Sequence, residues 1–331
     1  MVIGWLEHLH NVAQPALLVA PRTFLADIRS ACVANGVSAA VANHDSAPIF
    51  NKLLRTLNYQ GISDAAADAF TRKHGAVCWD QIEASLKQEK LCPRLQSYWS
   101  FVDCGFKKSA HTCSNPELMP SCSLPRLPLR KGVLNQAAFS LFLFMRDVCE
   151  NDLVSWLDEQ LEMADRDYDG LDRLLKMRAA VLNPFRNVFG VSDKILSMAM
   201  ADLLLGADPK RALWVETGAG MIAIDTLVHN FLYRTGVLHR AYFEHPYGPL
   251  CYKRGSCSDI LQVYAQSVDA RAFSPSFPQC FPRFVQHAIW RFCAQGAMDV
   301  CNGNRIDDED RCDNFQCPNF ELCDRVLIRA Q

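Results

Sequence analysis

Four cysteines near the end of the chain have the type and spacing for metal chemistry: Cys301-x10-Cys312-x4-Cys317-x5-Cys323, within CNGNRIDDEDRCDNFQCPNFELC. Thiolates this close in sequence can ligate an iron–sulfur cluster or a zinc ion, and the intervening Asn, Gly, Asp and Pro residues suit small loops that wrap one. The competing reading is four unligated thiols. An apolar stretch, FVQHAIWRFCAQGAMDV, leads directly into the first of them.

The elements that must position these residues are helical. Apolar residues recur at helical spacing along nearly the whole chain. Helices are predicted at 23–34, 47–58, 63–74, 79–88, 94–102, 133–147, 151–164, 171–182, 193–205, 225–235, 256–268 and 282–297. Alternating strand-like stretches are scarce, so an all-α protein is expected. Two segments break the pattern. Residues 103–131 are rich in Pro, Ser, Cys and basic residues, and residues 241–255 (AYFEHPYGPLCYKRG) form an aromatic and basic loop.

Bulk properties narrow the class. At 331 residues the chain can bury a substantial core in two lobes. A net charge of −2 gives no overall positive field, so any nucleic-acid binding must come from local basic patches. The odd count of 15 cysteines and an N-terminus without a basic, signal-like start favour a reducing, intracellular setting over a secreted disulfide protein. The apolar run AAFSLFLFM is too short to span a bilayer, so no membrane partner is expected.

Residues 171–205 read as two helices joined by a short turn, Val188-Phe189-Gly190-Val191-Ser192-Asp193-Lys194. Such a turn can aim backbone N–H groups at a phosphate without reading sequence. It resembles the helix–hairpin–helix turn, L-P-G-V-G-x-K, of the DNA glycosylase superfamily that includes endonuclease III. Gly190 and Lys194 match. Ser192 stands for the second glycine and Phe189 for proline.

Three further segments carry the resemblance, in the family's order. AIDTLVHNFLYRTG (223–236) resembles V-D-T-H-x-x-R-x-x-x-R, with Asp225 on the catalytic aspartate, Thr226 and Arg234 matching, and Leu227 in place of histidine. LLRTLNYQGISDAAADAFTRKHG (53–75) resembles the helix whose glutamine, here Gln60, probes the gap left by an extruded base. Trp290, Gly296 and Cys301 follow the order that precedes the family's C-x6-C-x2-C-x5-C loop, which holds a [4Fe–4S] cluster; the last spacer agrees and the first two are longer.

The resemblance implies a two-lobed, all-α DNA glycosylase. One lobe would span 46–210, with an insertion at 92–131. The other would join 1–45 to 211–331. Asp225, also an apt helix N-cap, would stabilise oxocarbenium charge on the deoxyribose or activate the attacking nucleophile. Lys194 would form a Schiff base at the sugar in a bifunctional enzyme, or only contact phosphate in a monofunctional one. Gly190, Ser192 and Arg186 would bind DNA. Cys301, Cys312, Cys317 and Cys323 would hold the [4Fe–4S] cluster, with zinc as the alternative. The implied partner is double-stranded DNA containing a modified or damaged base, bound by a monomer. A hypermodified viral base is one candidate for the excised base, and a non-catalytic metal-bearing DNA-binding protein is the rival reading. Cys92, Cys104, His111, Cys113 and Cys122 in the insertion allow a second metal site or scattered thiols. Arg126, Arg130, Lys131, Lys210, Arg211, Lys253 and Arg254 are further candidates for phosphate contact.

Overall fold

The computed structural model describes residues 3–87, 92–102, 104, 123–130, 132–166, 170–188, 190–303 and 306–328. Phe189, Lys131, His111, Cys113 and Cys122 lie outside the described residues. Every regular element among the described residues is helical. The chain divides into two compact units, Arg29–Thr217 and a unit joining Met1–Ile28 to Gly218–Gln331.

The Arg29–Thr217 unit is built around the Ser46–Leu57 helix. Asp45 caps it by accepting the Ala47 N–H at 3.1 Å. Ile49, Phe50, Leu53, Leu54 and Leu57 recur at helical spacing and are all buried. That face packs on the Asp193–Gly206, Trp79–Ser85 and Gly132–Leu143 helices. The helix predicted at 133–147 ends in a π-helical turn, Phe144–Val148. The one predicted at 94–102 is split into a 3₁₀ turn, Pro93–Gln96, and the short helix Tyr98–Phe101, because Ser97 is extended and caps the second piece.

The hairpin of this unit consists of the Gly170–Phe185 and Asp193–Gly206 helices. Its first helix runs three residues past the predicted end at 182, carrying Pro184 in its last turn. Gly190 sits in the turn with φ 70°, a left-handed conformation that costs an L-residue about 1–2 kcal/mol. A Cβ there would also lie 2.7 Å from Val133 Cγ1. Gly190→Ala should therefore lower unfolding free energy by roughly 1–3 kcal/mol. Urea denaturation checks this, and an unchanged midpoint would mean that the turn adapts freely.

In the other unit the Ile3–Leu18 helix packs on the Pro282–Cys293, Val237–Arg240 and Cys257–Gln266 helices. It lies outside the predicted helices, and Pro15 inside it removes one backbone bond at a cost of about 3 kcal/mol. Leu9, Val12, Ala13, Ala16 and Leu17 line one buried face. At roughly 1.5–3 kcal/mol for each large side chain, that burial outweighs the proline. The Pro282–Cys293 helix stops four residues short of its predicted end at 297. There Met298 N–H and Val300 N–H turn back to bond the Arg291 and Phe292 carbonyls.

Candidate metal centres and catalytic groups

One short helix, Thr226–Arg234, organises three groups of chemical interest within the second unit. Asp225 is at its start, His229 in its middle and Arg234 at its end.

Asp225 is the N-cap residue. Its Oδ1 accepts the Val228 N–H at 2.9 Å, and the carboxylate is half-buried. The segment before it is held from the 241–255 loop: the Tyr252 hydroxyl accepts the Ile224 N–H at 2.8 Å and donates to the Ile224 carbonyl at 3.2 Å. Tyr247 of the same loop hydrogen-bonds Thr226. Burial, and then the nearby Asp225 charge, raise its phenol above the ordinary tyrosine range. The loop exposes Tyr242 (84%), Phe243 and Tyr247, together with Lys253 and Arg254. An aromatic and basic surface thus lies close to a fixed carboxylate.

His229 belongs to a set that sequence reasoning missed. The donor atoms of His229, His245, Cys251 and Cys257 all lie within 4.8 Å of one another. His229, Cys251 and Cys257 are at most 2% exposed. His229 Nδ1 is 3.4 Å from Cys257 Sγ and 3.5 Å from Cys251 Sγ, and His245 Nε2 is 3.4 Å from Cys257 Sγ. The two thiols are unequal: hydrogen bonding from Cys257, then from His229, draws Cys251 toward thiolate, while Cys257 is pushed up. Such a group can hold a metal ion. The ligand spacing, H-x15-H-x5-C-x5-C, lacks the short Cys-x2-Cys pairs that mark most zinc sites. The available signal was three His (His229, His239 and His245) and two Cys within 29 residues, with His245, Cys251 and Cys257 set in a Gly- and Pro-bearing stretch.

At the end of the same helix, Cys301, Cys312, Cys317 and Cys323 line one pocket with Arg234 and Arg325. Phe231, Phe292 and Ile306 supply apolar walls. Cys323 Sγ lies 3.5 Å from the Arg234 carbonyl, and Val326 N–H bonds that carbonyl at 2.9 Å, so the cysteine loop caps the helix. Asn319 ties the loop to the first helix by donating to the Val12 carbonyl at 2.8 Å. Burial, and then the charges of Cys301, Cys317 and Cys312, push the Cys323 thiol up to about 12. The four sulfurs are close enough to feel one another.

The pocket's polar chemistry fits an anionic occupant. Arg234 is 3% exposed and pairs with Asp308, yet its Nη1 is buried without a hydrogen-bond partner among the described residues. Arg325 Nε is buried in the same condition. Two guanidinium groups with unspent donors beside four thiols suit a thiolate-bound cluster of net negative charge better than an apolar filling.

The other sequence-predicted residues meet at the hairpin of the Arg29–Thr217 unit. Gln60 Nε2 donates to the Gly190 carbonyl at 2.8 Å, and its Oε1 accepts the Ser192 N–H at 3.3 Å. Its amide is engaged in bracing the turn. Arg130 donates to the Gln60 carbonyl at 2.6 Å, and Arg186 pairs with Asp193 at 2.6 Å. Arg211 pairs with Asp158 and stacks over Trp214. Lys194 is half-buried in the first turn of the second hairpin helix.

No protein family, curated protein or solved structure matches the chain. The thirteen cysteines among the described residues carry no disulfide. None of the described helices is long and apolar enough to cross a membrane.

Proposed function

We propose that the chain is a DNA N-glycosylase of helix–hairpin–helix type, which everts a damaged or modified base from double-stranded DNA and cleaves its glycosidic bond. The observation that carries this reading is Asp225: a half-buried carboxylate locked by a helix cap, close to a loop of exposed aromatic and basic side chains. Rupture of an N-glycosidic bond builds positive charge on the sugar. A carboxylate already oriented and half-buried stabilises that charge with little reorganisation. Tyr242, Phe243 and Tyr247 offer faces for stacking an unstacked base, and Lys253 and Arg254 offer phosphate contacts.

The hairpin contributes backbone binding. Gly190 gives the turn its left-handed conformation, Gln60 holds the turn's shape through the Gly190 carbonyl and the Ser192 N–H, and Arg186, paired with Asp193, lies beside it. Lys194 is the candidate Schiff-base nucleophile. Cys301, Cys312, Cys317 and Cys323 would hold a [4Fe–4S] cluster, which in this role is structural and keeps the loop docked on the Thr226–Arg234 helix.

The test is base release from a panel of duplexes carrying oxidised, alkylated and hypermodified bases. Excision of at least one is expected. Retained binding with no excision across the panel would favour the non-catalytic DNA-binding reading. On the active substrate, borohydride should trap a covalent adduct that Lys194→Ala abolishes. Base release without any trapped adduct in the native protein would assign the chemistry to water activated by Asp225, leaving Lys194 as a phosphate contact.

A further inference from the structure

We propose that His229, His245, Cys251 and Cys257 form a closed, tetrahedral zinc site, separate from the four-cysteine pocket. Its role would be to pin the 241–257 loop against the segment that carries Asp225.

The distances support a shared ion. Zinc bound at about 2.3 Å to sulfur and about 2.0–2.1 Å to nitrogen gives tetrahedral N···S edges of roughly 3.5–3.6 Å. The three N···S separations, 3.4, 3.5 and 3.4 Å, fall close to that edge. The tautomer of His245 agrees. Its Nδ1 lies 2.8 Å from the Phe243 carbonyl, which can only accept, so Nδ1 carries the proton and Nε2 turns its lone pair toward the cluster. A ligating histidine that donates its other N–H to a backbone carbonyl is the usual outer-shell arrangement of protein zinc.

The sulfurs are fixed in place. Cys257 is the first residue of the Cys257–Gln266 helix and is fully buried. The Gly248 backbone hydrogen-bonds Cys251. A metal-free cluster would leave two buried thiols, the buried His229 Nδ1 and the His245 Nε2 satisfying one another only through weak S–H···N contacts, which makes the ion-free alternative the poorer one. Four protein ligands leave no open coordination position, so the site is structural and not catalytic.

The loop's geometry shows what the ion holds. Between His245 and Cys257 the chain bends at two positive-φ glycines, Gly248 (φ 152°) and Gly255 (φ 83°). A Cβ on Gly255 would lie 2.5 Å from the Phe243 ring, so loop backbone and aromatic side chain are closely packed. The loop holds no helix longer than the 3₁₀ turn Pro249–Tyr252. Such a segment keeps one conformation when cross-linked, and here the cross-link runs to the helix that Asp225 caps. The metal site stands independently of the glycosylase reading, because its evidence lies in the ligands alone.

The test uses the full chain purified from zinc-replete culture, with metal content measured by mass spectrometry and fold checked by circular dichroism. His245→Ala should lose one zinc equivalent per chain relative to the native protein, and Cys280→Ser, a half-buried cysteine outside the set, should lose none. Cobalt(II) added to chelator-stripped native protein should produce the intense visible bands of tetrahedral, thiolate-ligated cobalt, and His245→Ala should lose that component. Trypsin should cut after Lys253 or Arg254 roughly tenfold faster once zinc is stripped, because cleavage tracks the open population. Equal zinc in native protein and His245→Ala would overturn the proposal. If that variant does not fold, the cobalt and trypsin results on native protein decide: octahedral cobalt spectra, or a chelator-insensitive loop, would overturn it. Neither readout involves DNA, so failure here is distinguishable from failure of the glycosylase assay.

Discussion

Asp225→Asn is expected to slow base release by about 10²–10³-fold with little change in stability or DNA affinity. The magnitude is that of removing one preorganised charge from the place where transition-state charge develops. The substitution is informative because it separates two jobs done by one side chain. As an N-cap, Asp225 accepts the Val228 N–H, and asparagine caps a helix about as well as aspartate. As an anion beside a developing cation, it has no neutral substitute. Single-turnover excision together with equilibrium binding measures both. A rate within about threefold of native would remove Asp225 from the chemistry. A matching loss of thermal stability would show that the cap was its main role.

The second large effect is expected at the cysteine pocket. Cys312→Ser should abolish the broad visible absorbance and most of the iron, and lower the melting temperature by about 10 °C or more. Metal ligation is folding free energy where no site exists in the unfolded chain, and for 331 residues that shift corresponds to a loss of roughly 7 kcal/mol, within what ligation of a metal by four thiolates supplies. The loop has few other anchors: Asn319 bonded to Val12 and the contacts of Cys323 and Val326 with the Arg234 carbonyl. Once the cluster is gone, Arg234 and Arg325 face the three remaining thiols with no anion to answer their unpartnered N–H groups. A colourless native protein that holds zinc in this pocket would replace the cluster with the other metal. Native protein with neither metal there would leave four free thiols and end the iron–sulfur assignment.

The two metal proposals make different demands on the same helix. The zinc ligand His229 is one turn from Asp225, and Arg234, which lines the cysteine pocket, is the last residue of the helix. Losing the cysteine loop should free the helix's last carbonyls, whereas losing zinc should free the loop near its first residues.

What the sequence determined by itself was short-range. Apolar periodicity placed most of the helices, because a buried helical face must repeat every three to four residues wherever it packs. Asp225 before an apolar helix was legible as a cap for the same reason: capping involves only the next three residues. Grouping of the four C-terminal cysteines was legible because 23 residues of chain rich in Gly, Asn, Asp and Pro can close on themselves.

Tertiary structure decided the rest, because those contacts join residues that no local pattern links. Gln60 meets Gly190 and Ser192 from 130 residues away, so a residue that the sequence matched to a gap-probing position braces the hairpin turn in the fold. Arg234 reads in sequence as the last basic residue of an amphipathic helix; folding buries it against the cysteine loop. His229 reads as one more polar residue among apolar neighbours. Only the return of the 241–257 loop across the helix, steered by positive-φ glycines and by Tyr252 bonded to Ile224, brings His245, Cys251 and Cys257 to it. A metal site assembled from one helix and a folded-back loop depends on where that loop closes. Closure is set by packing and backbone bonding across the unit, not by ligand spacing along the chain.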